Sequence, residues 1–346
     1  MQKTTVAIIA GGDSQEATSS YLSAQNIFDH LPNEKYTKYI VEVVNWEWQI
    51  IVANDIDNDV LQNGEFDSQN FSFSFPGIKK IVQFDCAFIA IHGKPGETGH
   101  IQAYFDMINI PYSGSGIFTS SLTMNKFASK SFLKGAININ IPQHILLNTC
   151  ENLDMAYIEK TLGYPCIIKP NSSGSSLGVS KVLNQEGLLQ AVEKIRSPDE
   201  TVLAEEYIVG TEVTVGIIKT KKSEFVLPIA EIIRPIHDPQ NLNMKNTIGY
   251  DHHQLVQKII PARLTEEMTR IVEDLAKKIG RTLGCHSFYR IDFIIDANNE
   301  AYFLEVNSIP GVAPKSVFTD QITAMGMSLK DFFTIILEDI TAPSQI

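Results

Sequence analysis

The most constraining stretch of this chain is Thr4 to Ala10 (TTVAIIA), an unbroken β-branched and apolar run that stops at Gly11-Gly12-Asp13-Ser14. A strand with one wet face alternates apolar and polar residues, whereas a strand covered on both faces does not. The run therefore predicts a strand buried within a parallel sheet, and the Gly-Gly-Asp-Ser break predicts a turn into a capped helix. Cys86 to Ile91 repeats the pattern and stops at His92-Gly93-Lys94-Pro95-Gly96-Glu97-Thr98-Gly99. Ligands of open α/β sheets sit beyond the carboxyl ends of the strands, so both breaks are candidate walls of a site.

With 346 residues the chain has room for two domains or three compact ones. Lys and Arg number 28 against 40 Asp and Glu, a formal net charge of −12. A field of that sign repels phosphate backbones and anionic lipid, which argues against nucleic-acid and membrane-surface partners. It leaves room for a nucleotide, because one local cationic pocket outweighs a diffuse negative surface. Cys86, Cys150, Cys166 and Cys285 lie far apart without a CxxC pair, a spacing read as buried thiols in a reducing compartment. No apolar run approaches the roughly 18 residues of a membrane span, and Val6 to Ala10 is too short for a signal peptide. A cytoplasmic α/β protein is the expectation.

Residues 46–78, rich in Asn, Asp and Ser, read as an insertion with no role to assign. A helical pattern around 117–135 carries Lys126 and Lys130. After Pro142 the texture changes to short strands, Tyr164 to Lys169, Ser180 to Leu183, Val202 to Tyr207 and Glu212 to Ile218, as in a smaller α+β lobe. The clearest helix is predicted over about 265–283, where Met268, Ile271, Val272, Leu275, Ala276, Ile279 and Leu283 recur at three- and four-residue spacing before Gly284. A hairpin follows, Tyr289 to Ile295 returning as Ala301 to Asn307 through Asp296-Ala297-Asn298-Asn299.

That hairpin carries the most chemistry. Side chains two apart on a strand share a face, so Glu305 and Asn307 point one way, as do Arg290 and Asp292. If the two faces coincide, two carboxylates and an amide oxygen converge beside a guanidinium, an oxygen set suited to Mg²⁺. From spacing alone the face is equally a solvated polar surface with an Arg–Asp pair. A second signal is Lys169-Pro170-Asn171-Ser172-Ser173-Gly174-Ser175-Ser176-Leu177-Gly178, a strand feeding a loop of small residues whose N–H groups can approach an anion. The lysine precedes the glycines, so this is not a Walker A loop, and a flexible hairpin connection is the plainer reading. A third is Ala204 to Glu212, where apolar residues alternate with acids, a pattern that also suits a strand with one wet face.

Taken in order, these residues resemble the ATP-grasp superfamily and, within it, the D-alanine–D-alanine ligases. The resemblance runs through GGDSQE at 11–16, HGKPGETG at 92–99, PYSGSG at 111–116, MNK at 124–126, IIKPNSSGSSLGVSKV at 167–182, EEYIVGTEVT at 205–214, RIDF at 290–293 and LEVNSIPG at 304–311. It implies an α/β chain with an N-terminal Rossmann-like (pre-ATP-grasp) domain over 1–125. A two-lobed ATP-grasp α+β fold follows, divided at 126–214 and 215–346, with ATP between those lobes. It also implies an ATP-dependent ligase that joins two D-alanines through a D-alanyl phosphate for peptidoglycan precursor synthesis, and a homodimer. By position in the family motifs, Lys126, Lys169 and Ser176 hold ATP, Glu205, Glu206, Tyr207 and Ile208 lie along the adenine, and Glu212 meets the ribose. Asp292, Glu305 and Asn307 bind two Mg²⁺ (or Mn²⁺) ions. Arg290 and the Gly311 N–H stabilise the reaction's charge. Glu16 holds the first substrate's ammonium group, Ser175 links Glu16 to the mobile loop, and His92 lies near the first substrate's carboxylate. Ser316 and Val317 fall where the second substrate's carboxylate binds.

The departures gather on the second-substrate side. Thr98 stands where an acid is common, Asn125 where Asp precedes the phosphate lysine, and Val312 to Val317 where the family often reads MTSHSL. In place of the family's EAKY motif the chain reads Asn243 to His253. Lys245 or Tyr250 takes up part of that motif, and Tyr250 is the candidate second-substrate contact. In relatives that make D-alanyl-D-lactate a loop histidine replaces the tyrosine, so His252 and His253 are candidates for that part or plain exposed residues. The competing activity is thus an ATP-grasp ligase with D-lactate, D-serine or another amino acid as second substrate. A silent nucleotide-binding scaffold is disfavoured by the intact set from Lys169 to Asn307. A dehydrogenase is disfavoured because no GxGxxG follows the first strand.

Overall fold

The computed structural model describes residues 3–148, 153–174, 178–195, 201–233 and 257–343. The first strand, Thr4–Gly11, runs parallel between Tyr36–Val44 and Cys86–Ile89. Its burial explains its sequence. Val6, Ile8 and Ala10 pack into a core with the helix Ala17–His30, while Ala7 and Ile9 pack into a second core with Ile101 and Phe105 on the other face. All five strand residues are fully buried, so neither face admits a polar side chain.

The stretch read as an insertion is only partly one. Glu47–Ala53 pairs antiparallel with Tyr36–Val44 and forms the edge of the first sheet. Beyond it, Glu65–Asp67, Ser72–Phe75 and Lys80–Gln83 make a separate three-stranded sheet. Phe71, Phe73, Phe75 and Phe84 are buried in the second core of the first domain. Polar residues dominate the composition here, but the aromatic residues between them do the packing.

A second, wholly antiparallel sheet has the order Ser180–Val182, Cys166–Pro170, Val202–Glu206, His144–Leu147. The helices Met155–Leu162 and Gln185–Ile195 cover it, and its core of Leu147, Ile158, Ile168, Leu188 and Val192 is its own. The third lobe carries a six-stranded sheet in which Gly210–Lys219 lies between Ala230–Ile233 and Ser287–Asp296, with Ala301–Asn307 outside. Gly210–Lys219 belongs to this sheet along its whole length, so the division written at 214/215 falls inside a strand.

The helix Glu266–Leu283 covers one face of that sheet. Thr265 caps its start, accepting from the Met268 N–H at 3.2 Å, and Gly284 ends it at φ +73°. Met268, Val272, Ala276, Ile279 and Leu283 pack onto Val213, Val215, Tyr289 and Ile291 with Leu275 partly buried beside them, whereas Ile271 of the stripe read from periodicity is 48% exposed. The pattern around 117–135 resolves into two helices, Ile117–Met124 and Lys126–Ala136. They part at Asn125, whose side chain caps the second by accepting from the Ala128 N–H at 2.9 Å. Finally, Phe318, Phe332, Phe333 and Ile336 of the helices Val317–Ala324 and Leu329–Thr341 lie in the first core of the N-terminal domain, beside Val6, Ile8 and Phe88.

Candidate active site

The hairpin brings its two polar faces together. Arg290 stands opposite Asn307 and Asp292 opposite Glu305. The register then slips by one, because Phe293 pairs with Phe303 and Leu304 is left over. On the other side of the strand, Thr214 stands opposite Asp292, and its hydroxyl donates to Asp292 Oδ1. Glu212, two residues from Thr214, shares that face. The Arg290 guanidinium grips Asp292 twice, Nε to Oδ1 at 3.0 Å and Nη2 to Oδ2 at 3.1 Å. The Asn307 Oδ1 accepts from the Ile309 N–H at 3.1 Å, which fixes the amide's orientation. Among the described residues no three His, Cys, Asp or Glu side chains group as a metal site. The oxygen donors on this face are two carboxylates and one amide.

Three lysines approach the same face from two other elements. Lys126, at the first turn of Lys126–Ala136, lies 3.5 Å from Glu305 Oε2, and its Nζ donates to the Ser173 carbonyl. One turn further, Lys130 is fully buried and meets Glu205 Oε1 at 2.9 Å. Lys169, at the end of its strand, meets the other oxygen of Glu205 at 2.6 Å. Burial by itself would raise Glu205, but the two ammonium groups outweigh it and hold the carboxyl down to about 2. Burial likewise pushes Lys130 down to about 8 against the pull of Glu205. Glu305 is held below the usual carboxylate range, because Lys126, Lys169 and Arg290 overcome its desolvation. Asn171 ties the loop to the helix start: it donates to Asn125 Oδ1 at 3.0 Å and accepts from the Phe127 N–H at 2.9 Å. In this way Asn125 serves as cap and anchor where the family motif has Asp.

The N-terminal strand ends supply a third wall. Glu16 stands at the start of Ala17–His30 and its N–H donates to Ser14 Oγ at 3.2 Å. Gly174 of the Ser/Gly loop reaches this carboxylate so closely that a Cβ at 174 would stand 2.6 Å from Glu16 Oε2. His92 is buried, with Nδ1 3.0 Å from the Ile309 carbonyl and Nε2 3.3 Å from Ser23 Oγ. Gly311 packs beside that ring: a Cβ there would lie 3.7 Å from His92 Nε2. Glu97 accepts from the Gly93 N–H at 2.7 Å, and burial, with the charge of Glu16, pushes it up to about 8.

The other predicted residues that the structure describes have partners of their own. Glu206 turns to the other side of its strand and accepts from the Gln143 N–H at 3.2 Å. The Tyr207 ring carries Lys181 Nζ at 3.7 Å from its centroid, and Ile208 is half-buried beside it in sequence. Ser316 caps Val317–Ala324, accepting from the Thr319 N–H at 3.3 Å, so its hydroxyl and Val317 begin that helix. Ser175, Ser176 and Tyr250, with Lys245, His252 and His253, lie outside the described residues. Sequence reasoning passed over Thr214, Glu97, Ser23 and the pairing of Lys130 with Glu205. The four-residue spacing of Lys126 and Lys130 was the one available sign that both lie on one helix face.

A family model described as D-ala D-ala ligase C-terminus matches residues 135–338, and one described as D-ala D-ala ligase N-terminus matches residues 5–115. The chain belongs to the D-alanine–D-alanine ligase family. The D-alanine–D-alanine ligase of Phocaeicola vulgatus is 37% identical over 337 residues, covering 97% of this chain and 99% of the relative. Among solved structures, the VanG D-Ala:D-Ser ligase from Enterococcus faecalis superposes with a TM-score of 0.81 at 26% identity, covering 99% of this chain and all of that one. The D-alanine–D-alanine ligase from Bacillus anthracis complexed with ATP gives 0.73 at 25% identity over 97% of each chain. Membership brings the expected fold, a Rossmann-like N-terminal domain followed by a two-lobed ATP-grasp α+β fold. No helix among the described residues is long and apolar enough to cross a membrane.

Proposed function

We propose that this chain joins two D-alanines at the expense of ATP for peptidoglycan precursor synthesis. The observation that carries the reading is the hairpin register, which sets Arg290, Asp292, Glu305 and Asn307 on one polar face beside Lys126 and Lys169. In the first step a carboxylate oxygen of one D-alanine attacks the γ-phosphorus and ADP leaves. In the second, the amine of the other D-alanine attacks the acyl carbonyl, phosphate leaves and the nitrogen loses its proton. Both steps concentrate negative charge, so fixed cations and N–H donors supply the catalysis.

Lys126 and Lys169 neutralise the ATP phosphates, trading Glu305 and Glu205 for phosphate oxygens. Arg290 faces the transferring phosphoryl group, and the Gly311 N–H donates to the oxyanion of the tetrahedral intermediate. Glu16 holds the first ammonium group, with Ser175 linking it to the Ser/Gly loop, which binds ATP through Ser176 and excludes water from the acyl phosphate. Glu205 to Ile208 lie along the adenine and Glu212 at the ribose, between the sheet of Val202–Glu206 and the sheet of Gly210–Lys219. Ser316, Val317 and Tyr250 receive the second substrate. The donor set of Asp292, Glu305 and Asn307 is all oxygen, which suits Mg²⁺ or Mn²⁺, and such ions, two in number, neutralise the phosphates when bound. A cytoplasmic homodimer completes the reading; the buried free thiols of Cys86, Cys166 and Cys285 support a reducing compartment.

The likeness to a D-Ala:D-Ser ligase and the changed motif at Asn243 to His253 make a different second substrate the competing reading. Phosphate release from ATP separates the two. It is expected with D-alanine alone and to rise little when D-serine or D-lactate is added. Turnover that appears only with D-serine or a hydroxy acid overturns the D-alanine assignment.

A further inference from the structure

We propose that Ser23 and Asn26 are positioning residues that fix the turn carrying Gly311. Both lie on the helix Ala17–His30 and both are buried, 0% and 4% exposed. Ser23 Oγ accepts from the Val312 N–H at 3.2 Å and lies 3.3 Å from His92 Nε2. The Asn26 amide donates to the Val312 carbonyl at 2.6 Å. His92 closes the circuit, because its Nδ1 lies 3.0 Å from the Ile309 carbonyl. A carbonyl only accepts, so Nδ1 carries the proton, and in the neutral ring Nε2 accepts from the Ser23 hydroxyl. The Val312 N–H, the Ser23 hydroxyl and the His92 Nδ1–H then each meet an acceptor.

The geometry has a direct consequence for Gly311. Val312 is held at both its N–H and its carbonyl, Ile309 is held at its carbonyl, and Gly311 lies between them. Its N–H direction is therefore set from the N-terminal domain. The helix that starts at Glu16 holds that turn two helical turns later, so one rigid element aligns the residue assigned to the first ammonium group with the donor assigned to the oxyanion. The inference rests on the reading of Gly311 given above.

The test uses the full chain and D-alanine-dependent phosphate release. Ser23→Ala removes an acceptor and a donor, and Asn26→Asp removes the donor to Val312. Each is expected to lower kcat about 10- to 100-fold, the scale of a misplaced catalytic group, while KM for ATP stays within about twofold. Hydrogen exchange on the unmodified protein needs no variant: the Val312 amide is expected to be as protected as the strand Ser287–Asp296. Folded variants with unchanged kcat, a loss seen in KM for ATP instead of kcat, or a fast-exchanging Val312 amide would each overturn the proposal. An unmodified protein that releases no phosphate with D-alanine overturns the functional reading instead.

Discussion

The sheet face around Arg290 and the turn around Gly311 are both polar and both partly withdrawn from solvent, yet they are held by opposite means. On the sheet face, Lys126, Lys130, Lys169 and Arg290 are each paired with Asp292, Glu205 or Glu305. At the turn, Ser23, Asn26, His92 and the backbone of Ile309 and Val312 make neutral hydrogen bonds. Buried ion pairs add little net stability over apolar residues of the same volume, because desolvation consumes most of the attraction. In the reading proposed above, their value is that a charged side chain exchanges a carboxylate for a phosphate oxygen without leaving its place. Neutral hydrogen bonds offer no such exchange, and they suit a backbone group that has to keep one direction throughout.

The largest test of this contrast is Asn307→Ala. It leaves every ion pair intact but removes an oxygen donor, so turnover is expected to fall about 10³-fold or more while the far-ultraviolet circular dichroism is retained. Preserved phosphate release would detach the ionic face from the chemistry. Next in size is Glu205→Gln, which strips Lys130 and Lys169 of their shared counter-charge. Breaking such a buried set costs about 3–5 kcal/mol, measurable by urea unfolding at neutral pH. Glu205 titrates at about 2 in the folded chain against an ordinary 4.5, so the stability it confers is present above pH 4.5 and is lost as the pH falls towards 2. The variant's stability is expected to be flatter across that window; parallel curves would show that Glu205 is not held by its lysines.

Glu97→Gln gives the smallest effect and concerns the neutral side. The folded chain keeps a proton on Glu97 up to about pH 8, whereas the unfolded chain releases it near the ordinary 4.5. Stability linked to this group therefore declines as the pH rises from 4.5 to 8. A glutamine has no proton to lose and still accepts from the Gly93 N–H. The variant is expected to melt about 6 °C above the unmodified protein at pH 8 and equally with it at pH 4. A lower melting temperature at pH 8 would mean that Glu97 is charged in the fold, and the contrast between the two regions would weaken.

Much of this was legible before any coordinates. The strand at Thr4, the helix before Gly284 and the hairpin ending at Asn307 each follow from local periodicity, and local periodicity survives folding. The shared face of Arg290, Asp292, Glu305 and Asn307 was legible up to the register, which depends on a leftover residue at Leu304 that no two-residue alternation contains. The partnership of Lys130 with Glu205 was not legible, because it joins a helix to a strand 75 residues further along the chain and only burial reveals that both charges need a partner. Residues 46–78 misled through composition: the Asn and Asp are at the surface and Phe71, Phe73 and Phe75 form the inside.

Phe332, Phe333 and Ile336 complete the core around Val6, Ile8 and Phe88. In vectorial synthesis the first sheet leaves the ribosome long before the helix Leu329–Thr341 that covers it. The N-terminal domain therefore waits with an apolar face open until that helix has been made, whereas the lobe around Cys166–Pro170 already holds its own core once Val202–Glu206 has emerged. The order of translation and the order of completion are thus reversed for the first domain, which makes its open face the segment most in need of shielding in a newborn chain.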